Sequence, residues 1–467
     1  MSRRHPRASG AAIPQRPKAF LDGGFVLPVV ALWIVCSSSR YFGLPAFAGI
    51  PQVTGDRLCL IVLLGYAFVM IGIRKPRLRT RVAAEIILWV LACLVAFSGY
   101  AYGSFGPYPE TQVYVFNAFV YPAVALSLVL RCRLTERDVA RFVALLTCFG
   151  LYLGITAVLE RFNVHWALIP AAIGDPSQGI HYGRARGPFL QAAFDGAVMV
   201  MLLPVAMLLL QLSERRWRVL GTITIMLLCV GTYLTSTRAA MMGLGAVLVA
   251  GGFLRSPGRR NYRILTAVLG VIGVLLVLSG APLVPRFEEP TSSRDRYDLA
   301  IATGEMILTH PIAGVGYGNF DALEVEFFNK GQHFGWVPAS NEKFWDGGSH
   351  NSFLTPFAEL GILVGCLNIG LLLTRLVVGL RPLKPTTWAN TRRHPVIVTG
   401  GLMVIAFLIN GLLVEMRYTA TPNLLLWSFA ALVERYWWIL GATPAMSTGK
   451  APAASNDARV WEPAGAA

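Results

Sequence analysis

Charged residues are scarce in this 467-residue chain: they make up 14% of it, whereas hydrophobic residues make up 55% and the mean hydropathy is +0.55. A soluble globular domain carries about one quarter charged residues. The shortage of charge therefore excludes an ordinary soluble domain. It predicts an all-α polytopic membrane protein.

Paired cysteines and a single basic surface are lacking as well. The seven cysteines fall in or beside apolar runs, so the sequence predicts neither a disulfide framework nor a metal site. The net charge is +16, but the Lys and Arg residues form short clusters between apolar runs. That distribution is typical of membrane topology and argues against a nucleic-acid partner.

Apolar runs of about 20 residues, the length that crosses roughly 30 Å of hydrocarbon, recur along the chain. They begin near Gly24, Leu58, Ala83, Gln112, Phe142, Ala193, Val219, Ala239, Ile264, Phe353, Val396 and Asn423. We therefore predict about twelve transmembrane helices in a domain over residues 24–440. Residues 1–23 are the preceding tail, and residues 441–467, rich in Ala, Pro, Ser and Gly, are predicted to be disordered.

The positive charges predict the orientation of these helices. With the N-terminus inside and the helices alternating, 29 of the 41 Lys and Arg residues fall on the cytoplasmic side, so both termini are expected there. Two external segments, about 160–191 and 281–352, exceed a simple turn, and the second is too long for an unstructured connection. Ser292 and Asp295 resemble a capping box and Pro311 a stop, which predicts a helical lid on the outer face.

Arginines that stay outside despite this bias need another explanation. Arg184 and Arg186 lie in "RARGPF", Arg238 in "TSTRAA", and Arg294 and Arg296 on the predicted lid helix. Each alone is consistent with a side chain that snorkels at a helix end. Together, at one depth, the five guanidinium groups could bind a diphosphate through charge-assisted hydrogen bonds.

His350 lies at the external end of an apolar run, in "SHNSFLTPFAELG". Its imidazole could act as a general base toward a hydroxyl, or it could cap the helix with Ser349 and Asn351; the spacing leaves both open. Acidic candidates for orienting His350 or an arginine are Asp295, Asp298, Glu305 and Glu359, and the sequence singles out none of them. The glycines of "GVGYG" at residues 314–318 predict a turn.

At these residues the sequence resembles the O-antigen ligase and polymerase family of bacterial membrane proteins. The resemblance rests on "RARGPF", "TSTRAA", "EMILTHPIAGVGYGNF" and "SHNSFLTPFAELG", in the family order, over about residues 184–365. It implies a GT-C-like membrane glycosyltransferase that is inverting and needs neither a metal nor a cofactor. The implied location is the bacterial inner membrane, with the active site on the periplasmic face.

The resemblance also implies substrates and residue roles. The donor would be a glycan on undecaprenyl diphosphate, and the acceptor a hydroxyl of lipid A core or of a growing glycan, in lipopolysaccharide or exopolysaccharide biosynthesis. Arg184, Arg238 and Arg296 match the family arginines, Arg186 is an additional or substitute cation, and His350 matches the proposed base. Membrane lipid and other polysaccharide-export components are the further partners implied.

The sequence departs from the family pattern at one point and is compatible with three functions. Many family members have Pro-Asn where this chain has Ala192 and Ala193, so the role of that asparagine is missing or taken by Gln191 or Asp195. Within the family, a ligase and a repeat-unit polymerase differ only in the acceptor. From another class, a polysaccharide transporter or flippase would fit the hydropathy, but its charges would be expected near the bilayer midplane rather than near the outer interface.

Overall fold

The computed structural model describes residues 19–44, 53–74, 82–105, 109–212, 215–255, 291–331, 350–380 and 395–441. Fourteen α-helices lie in this part of the chain: α1 (Gly23–Cys36), α2 (Gly55–Arg74), α3 (Ala83–Ala101), α4 (Pro109–Val115), α5 (Tyr121–Leu130), α6 (Glu136–Arg161), α7 (Ala192–Leu212), α8 (Arg215–Leu234), α9 (Arg238–Arg255), α10 (Thr291–Thr309), α11 (Phe320–Gly331), α12 (Leu354–Leu380), α13 (Pro395–Gly411) and α14 (Ala420–Gly441). A π-helical turn, Phe116–Val120, joins α4 to α5.

Seven helical stretches among the described residues are long and apolar enough to cross a membrane, judged by length and composition: α2, α3, Glu110–Leu130 (α4 to α5), α6, α7, α8 from Trp217, and α12. The helices α1, α9 and α13 are apolar but shorter. An all-α membrane protein is thus supported, while the count of about twelve stays a prediction. Its ninth helix, near Ile264, lies outside the described residues, as do most of the tails at 1–23 and 441–467.

Among the residues that the structure describes, four two-residue strands accompany the helices: β1 (Leu21–Asp22), β2 (Gly43–Leu44), β3 (Val53–Thr54) and β4 (Cys132–Arg133). β1 pairs with β4 in parallel, and β2 pairs with β3 antiparallel. The first pair fixes the start of α1 beside the start of α6. There Asp22 caps α1 by accepting from the Gly24 N–H at 3.0 Å, and Thr135 with Asp138 forms a capping box on α6.

Helix α7 is the centre of the bundle. It packs against α6, α8, α9 and α13, and 83% of the residues in its most apolar stretch are buried. Helix α2 is the opposite case, because only 17% of the residues in its most apolar stretch are buried and large side chains such as Phe68 are exposed. Apolar side chains outside a packed core are expected on a surface that faces lipid.

Three arginines that are far apart in the chain mark one end of the bundle by their contacts with other helices and with the segment before α1. Arg74, at the end of α2, donates to the carbonyl of Phe20 at 2.8 Å, and Arg131, at the end of α5, pairs with Glu85 of α3 at 2.6 Å. Arg375 of α12 forms an ion pair with Glu434 of α14. We call this the basic end. These contacts fit helices that alternate in direction along the chain. That the basic end faces the cytoplasm stays a prediction of the positive-inside rule.

The lid expected from the sequence consists of two packed helices, α10 and α11, and both also pack against α12. Their shared apolar core includes Leu299, Met306 and Phe320, and it reaches Ala358 of α12. Helix α10 ends at Thr309, just before Pro311, as the sequence predicts. The side chains of the proposed capping box, Ser292 and Asp295, lie outside the described residues. Helix α11 has no counterpart among the sequence predictions.

Candidate active site

Arg184 holds the turn between α8 and α9. Its Nε donates to the carbonyl of Thr235, and its Nη2 donates to the carbonyl of Ser236 and to the hydroxyl of Thr237, all at 2.8 Å. The backbone N–H of the next residue, Ala185, donates to the carbonyl of Leu234 at 3.2 Å. A guanidinium fork suits such a set of converging acceptors. The "RARGPF" segment is therefore fastened to "TSTRAA".

Arg238 is the first residue of α9 and directly follows that turn. The N-terminus of a helix carries unsatisfied N–H groups and a partial positive charge, which favour a nearby anion. The preceding Ser236 has φ +50°, a left-handed conformation that is uncommon for residues other than glycine. Three hydrogen bonds from Arg184 hold this strained turn, so the position of Arg238 depends on Arg184.

The lid helix α10 brings Arg296 to Arg238. Burial, and then the positive charge of Arg238, lower the pKa of the Arg296 guanidinium. An arginine stays protonated at neutral pH even so, and two cations therefore lie close enough to repel each other. Such repulsion is relieved when an anion binds between the two groups.

His350 lies near Arg296. Burial, and then the positive charge of Arg296, lower the pKa of its imidazole below the ordinary value of 6.5. A lowered pKa keeps the imidazole neutral near pH 7, the form that can accept a proton. Its backbone has φ +52°, and strained conformations of this kind concentrate at functional sites. The structure thus brings together Arg238, Arg296 and His350, with Arg184 holding the turn beside them.

The other two arginines of the sequence hypothesis are placed differently. Arg186 is 1% exposed, and its guanidinium donates to the carbonyls of Ile173 at 2.9 Å, of Asp175 at 2.5 Å and of Gln178. These bonds use it to order the 160–191 loop from within. Arg294 lies on α10, but its side chain is outside the described residues.

Two carboxylates, Glu160 and Asp195, lie against the backbone of "RARGPF". Glu160 accepts from the backbone N–H groups of Arg186, at 3.1 Å, and of Gly187, at 2.9 Å. Asp195, one of the two candidates to replace the missing asparagine, is fully buried beside Gly187. A Cβ on Gly187 would lie 2.3 Å from Asp195 Oδ1. Gly187 also has φ +52°, so both the space and the backbone conformation at this position require glycine. In the described part of the chain, no three His, Cys, Asp or Glu side chains are grouped as metal ligands.

A buried ion pair that sequence reasoning missed lies next to this site. Arg417 Nη1 contacts Glu359 Oε2 at 2.5 Å, and Arg417 Nε lies 3.8 Å from Glu415 Oε1. The guanidinium faces the rings of Tyr317 and Tyr418 at 5.5 and 5.4 Å. Burial raises the pKa of Glu415 to about 7, and Arg417 opposes that shift. The signal in the sequence is "EMRY", a charged stretch between two apolar helices.

Glu415 and Arg417 belong to the segment that holds the backbone beside His350. Ser352 Oγ donates to the carbonyl of Val414 at 2.7 Å and accepts from the Met416 N–H at 2.7 Å. Thr355 donates to Glu415 Oε2 at 2.5 Å. A cavity of about 50 Å³ opens between these groups, and its lining includes Ser352, Glu359 and Arg417.

The glycine-rich loop of residues 311–319 packs against a kink in α12. Gly361 has φ +82° inside that helix, and around it Val315 N–H donates to the carbonyl of Ala358 at 2.9 Å and Ile362 N–H to that of Pro311 at 2.8 Å. A Cβ at Gly314 would lie 2.2 Å from the backbone of Glu359. The close approach explains the glycines, and a turn was the sequence expectation for them.

A comparison with protein families finds a match over part of the chain. Residues 223–369 match the family model described as O-Antigen ligase, a segment that holds Arg238, Arg296, His350 and Glu359. A search of curated proteins finds no match for the chain. The sequence resemblance to the O-antigen ligases is therefore confirmed over residues 223–369, which match the model of that family; "RARGPF" precedes the matched segment.

Proposed function

We propose that this chain transfers a glycan from undecaprenyl diphosphate to an acceptor hydroxyl in the biosynthesis of a cell-surface polysaccharide. The observation that carries the proposal is the convergence of Arg238, Arg296 and His350 within the segment that matches the O-antigen ligases. We also propose an inner-membrane location with the site on the periplasmic side, which the positive-inside bias of the loops favours.

In the proposed reaction, the oxygen of the acceptor hydroxyl attacks the anomeric carbon of the sugar that is bonded to the diphosphate. The glycosidic bond forms as the bond between that carbon and the diphosphate oxygen breaks, and the electron pair of the broken bond leaves with undecaprenyl diphosphate. Attack opposite the leaving group inverts the anomeric configuration. The hydroxyl proton passes to a ring nitrogen of His350, whose lowered pKa keeps it neutral and able to accept.

The cations have the complementary task. Arg238 and Arg296 would hold the diphosphate and stabilise the charge that grows on it as it departs, aided by the N-terminus of α9. Preorganised guanidinium groups in a partly buried site supply this stabilisation without a metal ion. Arg184 contributes by fixing the turn before Arg238. The sequence hypothesis that Arg184, Arg186 and Arg294 bind the diphosphate directly is untested, and the contacts of Arg184 and Arg186 favour a structural role for these two.

Release of undecaprenyl diphosphate by purified protein tests the reaction. The substrates are an undecaprenyl-diphosphate glycan and a candidate acceptor, and the variants are His350→Ala and His350→Asn. Asparagine tolerates the left-handed backbone at this position but has no titratable base, so His350→Asn separates chemistry from folding. The loss of a general base lowers the rate about 10²- to 10⁴-fold.

A matched control is His310→Ala, which removes an exposed histidine of the lid and should leave the rate unchanged. Equal release by wild type and His350→Asn would remove the base assignment. No release by wild type with any acceptor, together with movement of the intact lipid-linked glycan across a vesicle membrane, would favour a transporter instead.

The acceptor divides two forms of the proposal, and a gene deletion separates them. Loss of a ligase leaves long glycan chains on the lipid carrier, because they are no longer passed to lipid A core. Loss of a polymerase leaves single repeat units on the carrier. The ligase is the reading that the family description favours.

A further inference from the structure

We propose that the buried Glu359–Arg417 pair is a positioning element: it fixes the lid that carries Arg296 against the segment that carries His350. The inference rests on the proposed function for its link to catalysis. Neither residue belongs to the cation and imidazole set described above. Their effect would pass through the positions of Arg296 and His350.

Glu359 joins three segments at one fully buried residue. Its Oε2 pairs with Arg417, and its Oε1 accepts from the backbone N–H of Phe320, the first residue of α11, at 3.3 Å. Its carbonyl accepts from the Gly316 N–H in the loop before α11, at 3.0 Å. Because α11 packs against α10, the position of Arg296 depends on where Glu359 holds the start of α11.

Arg417, the partner of Glu359, lies in a segment that is hydrogen-bonded to the backbone near His350. The segment just before Arg417 is bonded to Ser352, since Ser352 Oγ bridges the Val414 carbonyl and the Met416 N–H. The Ser352 N–H also donates to the carbonyl of Gly411 at 2.8 Å. Ser352 lies two residues after His350, so the backbone of His350 is attached to the chain that presents Arg417.

A charged pair gives this junction directional specificity that its apolar contacts lack. The lid core at Leu299, Met306 and Ala358 is apolar, and apolar contacts are not directional. An ion pair with fixed donor and acceptor atoms is satisfied in one arrangement only, because a shift would leave a buried charge without its partner. The pair would therefore select the arrangement in which Arg296 faces His350.

The test follows the titration of the His350 imidazole by NMR in the full-length, histidine-labelled protein, with the signal assigned by its loss in His350→Asn. Burial and Arg296 both lower the pKa of His350 in the wild type, so displacement of the lid raises it. We expect Glu359→Gln to move the titration midpoint to higher pH, in the direction given by Arg296→Gln. The acid limb of the rate profile should move with it, and kcat should fall about 100-fold, as for a small misplacement of reacting groups.

The matched control is Glu434→Gln. It breaks an ion pair of the same chemistry at the basic end of α12, so it should leave both the midpoint and the profile unchanged. Should Glu359→Gln fail to fold, Glu359→Asp keeps the charge with one methylene less and should give a smaller shift in the same direction.

Two outcomes separate the positioning role from the proposed function. An unchanged midpoint in folded Glu359→Gln, where Arg296→Gln raises it, would overturn the positioning role. A raised midpoint in Glu359→Gln, together with no glycan transfer by the wild-type protein, would support the positioning role and overturn the transferase.

Discussion

Replacing Arg184 with alanine removes three hydrogen bonds from the turn that carries Arg238. A hydrogen bond from a charged donor contributes about 1.5–3 kcal/mol. The guanidinium is only partly buried, so the lower figure applies, and three bonds contribute roughly 4 kcal/mol. The left-handed Ser236 costs about 1–3 kcal/mol, which the three bonds outweigh.

Without Arg184 the turn is expected to relax, and Arg238 moves with it. A misplacement of about 1 Å at a reacting group can lower the rate about 100-fold. We therefore predict a fall in kcat of that order for Arg184→Ala, while the protein stays folded in the membrane. Arg184→Lys should behave like Arg184→Ala, because an ammonium group cannot reproduce the fork that contacts three acceptors.

A double-mutant cycle in the diphosphate-release assay separates this role from direct substrate binding. If Arg184 acts through the turn, Arg184→Ala adds little to Arg238→Ala, because the group it positions is already gone. If Arg184 contacts the diphosphate independently, two losses of about 100-fold multiply toward 10⁴-fold. A multiplicative double variant, or near wild-type activity of Arg184→Lys, would refute the positioning argument.

Two further predictions concern stability. Burial raises the pKa of Glu415 from 4.5 to about 7, so between these pH values the folded state holds a proton that the unfolded state has lost. The free energy of unfolding should therefore fall by roughly 3 kcal/mol as the pH rises through this range. Thermal unfolding of Glu415→Gln should lack this pH dependence, and an equal dependence in wild type and variant would contradict the prediction. Arg186→Ala should lower the yield of folded protein and leave donor binding per folded molecule unchanged, whereas normal folding with lost binding would make Arg186 a diphosphate ligand.

Apolar runs of about 20 residues predicted the helices, and the charge bias singled out the arginines. Each helix start predicted within the described residues lies near an observed helix, because a run of about 20 apolar residues has few alternatives in lipid. Arg238 and Arg296 were selected as exceptions to the charge bias, and His350 as a histidine at the end of an apolar run; the structure places Arg296 near both Arg238 and His350. Their roles in binding and catalysis stay predictions.

Tertiary contacts decided what the sequence left open. Arg184 and Arg186 are two residues apart in one motif, yet one holds the turn between α8 and α9 and the other is enclosed by carbonyls of its own loop. Among the four acidic candidates, Glu359 was indistinguishable until the structure paired it with Arg417, 58 residues away. A pair of that kind depends on how α12 packs against the segment before α14, and a local sequence pattern cannot predict that packing.

A structure of the protein with undecaprenyl diphosphate, determined by electron cryo-microscopy in a lipid nanodisc, tests the central claim most directly. The account predicts density for the diphosphate within hydrogen-bond distance of both Arg238 and Arg296, with His350 beside it and the polyprenyl chain in the membrane. Density for the diphosphate at the basic end of the bundle, or away from these three side chains, would contradict it.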